Sequence, residues 1–298
     1  MMWSRAVTAV TAVAVSLLLL SASACGSQSP PNARAEPESP STGIVAKDFD
    51  RKNFDRSTVI DNEWFPLRPG RQLVTEGSTL EDGRRVPHRL VFTVTDLTKV
   101  IAGVRTLVIW DRDYSAGQLV ETELAFFAQD NDGNVWELGE HPEAYEDGKL
   151  VESPTWIHGV KGARAGLSMK AEPRPGSSSY SLGWGPAVGF NDRATVRSVG
   201  QRTCVPLRCY GDVLVVAEFN PDELGRYQLK YYASGVGNVR VGWEGAKDTS
   251  KETLALVKAV RLSPAALARA RKDALRLEKS AYRISDDVYG RTPPAARR

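Results

Sequence analysis

The chain has 298 residues, of which 42% are hydrophobic and 25% charged, with 39 Lys and Arg against 36 Asp and Glu for a formal net charge of +3. Such a composition can bury a core, so a wholly disordered chain is excluded, and one sheet domain of this size can stay undivided. The basic residues gather in a C-terminal stretch rather than among aromatics in a groove, which argues against nucleic-acid binding.

Residues 1–24 read as a secretion signal. Met1 to Arg5 is a short positive start, Ala6 to Leu20 is apolar, and Ser21-Ala22-Ser23-Ala24 lead to Cys25. A spanning helix needs about 20 predominantly apolar residues; this run is broken by Thr8 and Thr11, and no stop-transfer charges follow it. The segment resembles the lipobox of bacterial lipoproteins, with Ala22 where leucine is usual. The resemblance implies that Cys25 carries a diacylglyceryl group with fatty acids such as palmitate and becomes the mature N-terminus. The protein is then held to the extracytoplasmic face of the cell membrane. Two acyl chains, at about 0.8 kcal/mol per buried methylene, anchor stably where one does not. The alternative is an ordinary cleaved signal peptide with an incidental cysteine.

Residues 25–42 contain GSQSPPNARAEPESPST, which lacks apolar periodicity and is expected to be a disordered, lipidated tether. A β domain is expected over 43–262. LVFTVTD places Leu90, Phe92 and Val94 on one face, and VRTLVIW resumes the period of two after Ala102-Gly103. Similar alternation recurs in LVETELAFFA, NVWELGE, RYQLKYYA, NVRVGW and TLALVKAV. The expected fold is mainly β, a single curved antiparallel meander of about nine to eleven strands forming a half-barrel or barrel, because sheets of that size curl or close to hide their edges.

Between LVETELAFFA and NVWELGE, Asp130, Asp132 and Asn134 are spaced like the first ligands of a calcium loop. Val135 stands where the loop needs glycine and His141 where it needs glutamate, and the flanks alternate as strands. A hairpin bend is the preferred reading, with Asx side chains bonding nearby N–H groups and Gly133 at positive φ. The acidic segment from Glu121 to Glu152 is read as a solvated face. Trp156 to Gly185 is rich in Gly and Pro yet holds Trp156, Met169, Tyr180 and Trp184. With Trp136 these are the candidate ligand-binding residues, on a segment placed over one mouth of the sheet; the competing reading has the aromatics plug the barrel end.

Cys204 and Cys209 remain as an even pair once Cys25 is lipidated, and an oxidising compartment favours a disulfide across a hairpin neck. A helix is expected over 263–284. Ser263 caps it, Pro264 opens it, and Leu267, Ala270, Ala274, Leu277 and Ala281 form a narrow stripe beside Arg269, Arg271, Lys272, Arg276 and Lys279. This helix docks on the sheet or meets a partner, and its basic side could touch anionic headgroups. Residues 285–298 are expected to be a disordered tail.

The succession WFPLRPG, AQDNDGNVWELGE, WIHGVKGARAGLSM and KYYASGVGNVRV resembles a family of exported bacterial proteins of unknown function. The motifs reduce to FPLxPG, AQDxxGNVWxxGE and YxxGVGxV. That resemblance implies a curved sheet like the half-barrels of lipoprotein carriers, and brings no catalytic residue. Independently, His88, His141 and His158 are scattered in turn-like surroundings, and no metalloprotease, hydrolase, phosphate-binding or dinucleotide motif is present. No enzyme, cofactor or metal site is therefore expected. The expected role is an anchored binding or carrier protein for an apolar ligand, and the alternative is an assembly lipoprotein that holds another envelope protein.

Overall fold

The computed structural model describes residues 49–298, so the signal sequence, Cys25 and the tether lie outside the described residues. A first run of antiparallel hairpins comprises β1 (Arg71–Glu81), β2 (Arg84–Ile101), β3 (Val104–Ser115), β4 (Gln118–Gln129), β5 (Val135–Glu146) and the short β6 (Lys149–Glu152). The turns are tight. Asp82-Gly83 and Ala102-Gly103 each place both residues at positive φ, as a two-residue hairpin whose twist matches its strands demands. The DNDG stretch is likewise a hairpin bend: Asp130 Oδ1 accepts from the Asp132 and Asn134 N–H groups at 3.1 and 2.8 Å, and Oδ2 from Asn134 Nδ2 and Trp136 Nε1.

Short pieces follow, β7 (Trp156–Ile157), β8 (Arg164–Met169), β9 (Tyr180–Ser181) and β10 (Gly183–Trp184). A second run of hairpins consists of β11 (Arg193–Cys204), β12 (Cys209–Phe219), β13 (Tyr227–Ala233), β14 (Gly237–Glu244) and β15 (Thr253–Arg261). The runs join where β15 pairs with β1. At the far side Tyr180 and Ser181 pair with β11 while Gly183 and Trp184 pair with β8, so one five-residue stretch stitches both edges together. The sheet is thereby nearly closed into a barrel. Much of the Gly-rich segment belongs to the wall, as β7 to β10. Cys204 and Cys209 are register partners at the neck of the β11–β12 hairpin and are disulfide-bonded. Closing so short a loop contributes about 2 kcal/mol in the chain-entropy view.

Alternation gives the wall two apolar faces. The inner one carries Leu73, Phe92, Val94, Leu107, Ile109 and Phe127. The segment Ile60–Leu67 turns in to cover it, and Phe65 meets Phe92, Phe127 and Tyr232 with ring centroids 5.5 to 6.0 Å apart. Asn62 fixes that segment by accepting from the Trp64 and Phe65 N–H groups and donating to Gly133 O and Lys170 O. The outer face, with Leu97, Val108, Phe126 and Leu138, is covered by α1 (Pro264–Ile284), whose Ala270, Ala274, Leu277 and Ala281 are buried. Ser263 caps α1, its side chain accepting from the Ala266 N–H at 3.2 Å.

The tail differs from expectation. A further turn, α2 (Asp286–Tyr289), is followed by β16 (Ala296–Arg297), which pairs with β2. The cause is a buried ion pair. Lys99 on β2 and Glu278 on α1 meet at 2.9 Å, and both also bind tail backbone, Lys99 Nζ donating to Pro293 O and Glu278 Oε1 accepting from the Ala295 N–H. Among the described residues no helix is long and apolar enough to cross a membrane.

Candidate functional site in the barrel interior

The lower half of the inner face is not apolar. Asp111 and Asp113 on β3 and Glu121 and Glu123 on β4 continue the inward-pointing rows of Leu107–Ile109 and Ala125–Phe127, and lie opposite one another in register. Glu137 and Glu140 on β5 are three residues apart, so strict alternation would send one of them outward. A bulge prevents this. Glu137 pairs with Phe127 and Glu140 with Ala125, leaving Leu138 and Gly139 together opposite Phe126. Gly139 has φ 148°, and a Cβ there would lie 2.5 Å from Trp156 O and 2.9 Å from Ile157 Cα. Only glycine lets β5 bend so close to β7, and the bend turns both carboxylates inward.

As a result Glu123, Glu137 and Glu140 each present a carboxylate oxygen within 4.8 Å of the others, and the residues are only 2%, 3% and 0% exposed. Burial pushes Glu137 up to about 7, and burial reinforced by the charge of Glu123 pushes Glu140 up to about 7. Asp111 is raised well above the carboxylate range, first by burial and then by Glu123 across the ladder. Asp111 Oδ1 and Glu123 Oε1 make no hydrogen bond. Ordered partners surround the group: Trp156 Nε1 donates to Glu140 Oε1 at 2.8 Å, and Ser168 donates to Glu137. Across the interior Lys230 Nζ lies 2.7 Å from Glu218 Oε2, and that carboxylate holds the ammonium charged against the cost of burial.

Beside these carboxylates lies a recess open to solvent. Phe65, Leu73, Leu90, Phe92, Val236 and Val241 form its apolar walls, while Glu137, Glu218 and Lys230 give it a polar floor.

The acidic segment is thus solvated only in part: Asp132, Glu146, Asp147 and Glu152 are exposed, while Glu123, Glu137, Glu140 and Glu143 on their strands and Asp130 in its bend are buried. Two of the histidines depart from turns. His88 lies on β2 and His141 on β5, both buried, whereas His158 sits in the turn after β7 as expected, its Nδ1 accepting from the Ala165 N–H. Of the aromatic candidates, Trp156, Met169 and Tyr180 belong to the inner core, Trp156 stacked on Phe190 at 5.1 Å. Trp184 is half-buried on β10. Trp136 faces the outer layer, where it meets Phe49 and Phe54 edge-on, since it alternates with the inward Val135 and Glu137. The recess is instead lined largely by residues of β1, β2, β13 and β14. Their signal was visible in Leu90 and Phe92, but nothing local distinguishes an apolar side chain facing a recess from one facing a neighbour.

No protein-family model matches the chain and no curated protein matches its sequence. Two solved structures are similar to it. One is from Bacteroides fragilis, described as an exported protein with a YmcC-like fold, at 13% identity and a TM-score of 0.40, covering 67% of this chain and 99% of that one. The other, described as a lipoprotein from Parabacteroides distasonis, has 11% identity and a TM-score of 0.38 with the same coverage.

Proposed function

We propose that the protein is a lipid-anchored extracytoplasmic lipoprotein that binds an apolar or amphiphilic small molecule in the recess of its barrel. The observation that carries this reading is the apolar-walled recess itself, open on one side and ending on the Glu137, Glu218 and Lys230 floor. Apolar walls supply affinity in proportion to the area removed from water, and a few polar groups orient the ligand. The N-terminal anchor keeps the recess beside a membrane, a natural source of such ligands.

Two results are expected. Replacing Cys25 by Ser should move the protein from the membrane pellet to the soluble fraction, and retention in the pellet would refute anchoring through that thiol. The soluble variant should then take up a fluorescent fatty-acid probe saturably, with lipid recovered from it by extraction and mass spectrometry. Leu90→Trp, which puts an indole into the recess from its half-buried wall, should weaken the probe by about tenfold, or 1.4 kcal/mol. Unchanged affinity would place the ligand elsewhere.

The assembly reading draws on one feature. Arg269, Lys272, Arg276, Lys279 and Arg283 form an exposed basic stripe on α1, beside Leu275. Cross-linking in intact cells from this stripe to a single envelope protein would support it.

A further inference from the structure

We propose that the exposed side of α1 is a docking surface for a membrane bearing anionic headgroups. Arg269, Lys272, Arg276, Lys279 and Arg283 recur at three- and four-residue spacing, so they form one row along the helix, and all five are exposed. Acidic side chains do not cancel the row. Of the two in α1, Glu278 is buried against Lys99, and Asp273, half-buried, pairs with Arg276 at 2.6 Å. Asp286 and Asp287 are exposed beyond the end of α1, where Asp287 pairs with Lys161.

Two further observations favour a bilayer over a protein partner. The first is where the chain from Cys25 arrives. The Phe49 ring lies 5.4 Å from that of Trp136, and both belong to the outer layer that α1 covers. A tether fixed at Cys25 therefore joins the barrel on the layer that carries the basic row. Fully extended, residues 25–48 span at most roughly 80 Å, which makes the meeting of α1 and bilayer an intramolecular event. The second observation is the chemistry of the row. Protein interface cores are rich in aromatics and poor in Lys, whereas the one aromatic of α1, Tyr282, is half-buried and donates to Thr292 O. Because Ala270, Ala274, Leu277 and Ala281 are buried against the barrel, α1 has no free apolar stripe to insert into lipid. Its attraction is then electrostatic, and it acts over about 10 Å at 0.1 M ionic strength. Nearness to a membrane rests on the lipid-anchored reading; the affinity of the row for anionic lipid does not.

The test sediments the Cys25→Ser chain, which cannot be acylated there, with vesicles of phosphatidylcholine alone and of phosphatidylcholine mixed with phosphatidylglycerol. Binding to the mixed vesicles should be tighter by about tenfold or more, and added salt should weaken it. Each basic side chain at an anionic surface is worth about fivefold, so the triple variant Lys272→Gln, Arg276→Gln, Lys279→Gln should lose about tenfold or more. Glutamine is a good helix former, and circular dichroism will show that the triple is folded. A charge-matched control, Arg84→Gln, Arg202→Gln, Arg208→Gln, alters exposed residues of the β1–β2 and β11–β12 hairpins and should stay within about twofold. Equal affinity for the two vesicle types, or equal loss in the two triples, overturns the proposal. So does a row that ignores vesicles but cross-links to one envelope protein in intact cells. Retention through Cys25 is read on the acylated chain, so failure of anchoring and failure of docking are told apart.

Discussion

Glu278→Ala is expected to lower folding stability by about 3–5 kcal/mol, the usual consequence of stranding one member of a buried ion pair. Lys99 is 0% exposed and Glu278 5% exposed, so water cannot replace the lost carboxylate without opening the packing between α1 and β2. Glu278 Oε1 accepts from Lys99 Nζ, from the Tyr289 hydroxyl at 3.2 Å and from the Ala295 N–H at 2.9 Å. Lys99 Nζ would keep its bonds to Tyr282 and Pro293 and its place 4.0 Å from the Tyr289 ring centroid, but those neutral partners do not balance a full buried charge. Urea denaturation gives the stability, and a double-mutant cycle separates pair from packing. The double variant Lys99→Met, Glu278→Leu should recover most of the loss, because apolar residues of similar volume remove the desolvation cost along with the attraction. Amide exchange at residues 286–297 should accelerate in the single variant alone. A loss below about 1 kcal/mol would mean that the helix is held by its alanine stripe and not by the ion pair.

That same pair shows where local reading stops. The alternation around Leu90–Val94, the Asp-Gly and Ala-Gly turns and the capped helix at Ser263 all arise from neighbours in sequence, so the strands, hairpins and α1 were legible there. Lys99 and Glu278 are separated by 179 positions, and the order they impose on residues 293–295 leaves no trace in a stretch that reads as TPPAARR. Closure of the sheet was legible only as a need to hide edges. The segment that achieves it, Tyr180–Trp184, forms two-residue strands too short to show a period. The carboxylate cluster lies between these cases. Glu123 reads as inward from its alternation with Ala125 and Phe127. Glu137 and Glu140 read as opposed, and the one signal against this was Gly139 inside a strand, a residue that marks bulges and close backbone approach. Counting faces through that glycine with a one-residue slip would have put the glutamates side by side.

His88→Gln is expected to flatten the fall of stability between pH 6.5 and about 10. The imidazole is 5% exposed, with Nε2 3.1 Å from Asp113 Oδ1 on β3 and 3.0 Å from Glu252 Oε1 just before β15. Gln228 on β13 donates to the other oxygen of Glu252, and Ser115 is the register partner of His88 on β3. Burial by itself would lower the pKa of His88, but its bonds to Asp113 and then Glu252 outweigh burial and push it up to about 10 from 6.5. A group whose pKa is raised on folding holds its proton more tightly in the native state. Its contribution is therefore complete below pH 6.5 and disappears as the pH rises through about 10. At 1.36 kcal/mol per pKa unit the difference across that window is on the order of 5 kcal/mol. Glu137, raised to about 7, gives a slope of the same sign at lower pH, so comparison above pH 7.5 isolates the histidine. Urea midpoints measured from pH 7.5 to 10 should decline steeply in the wild type and only shallowly in His88→Gln. The two curves should converge toward the alkaline end, where the native imidazole has lost its proton and both proteins carry an uncharged side chain between Asp113 and Glu252. Parallel curves would show that the two carboxylates are neutralised by some other group and that His88 is a spectator between them.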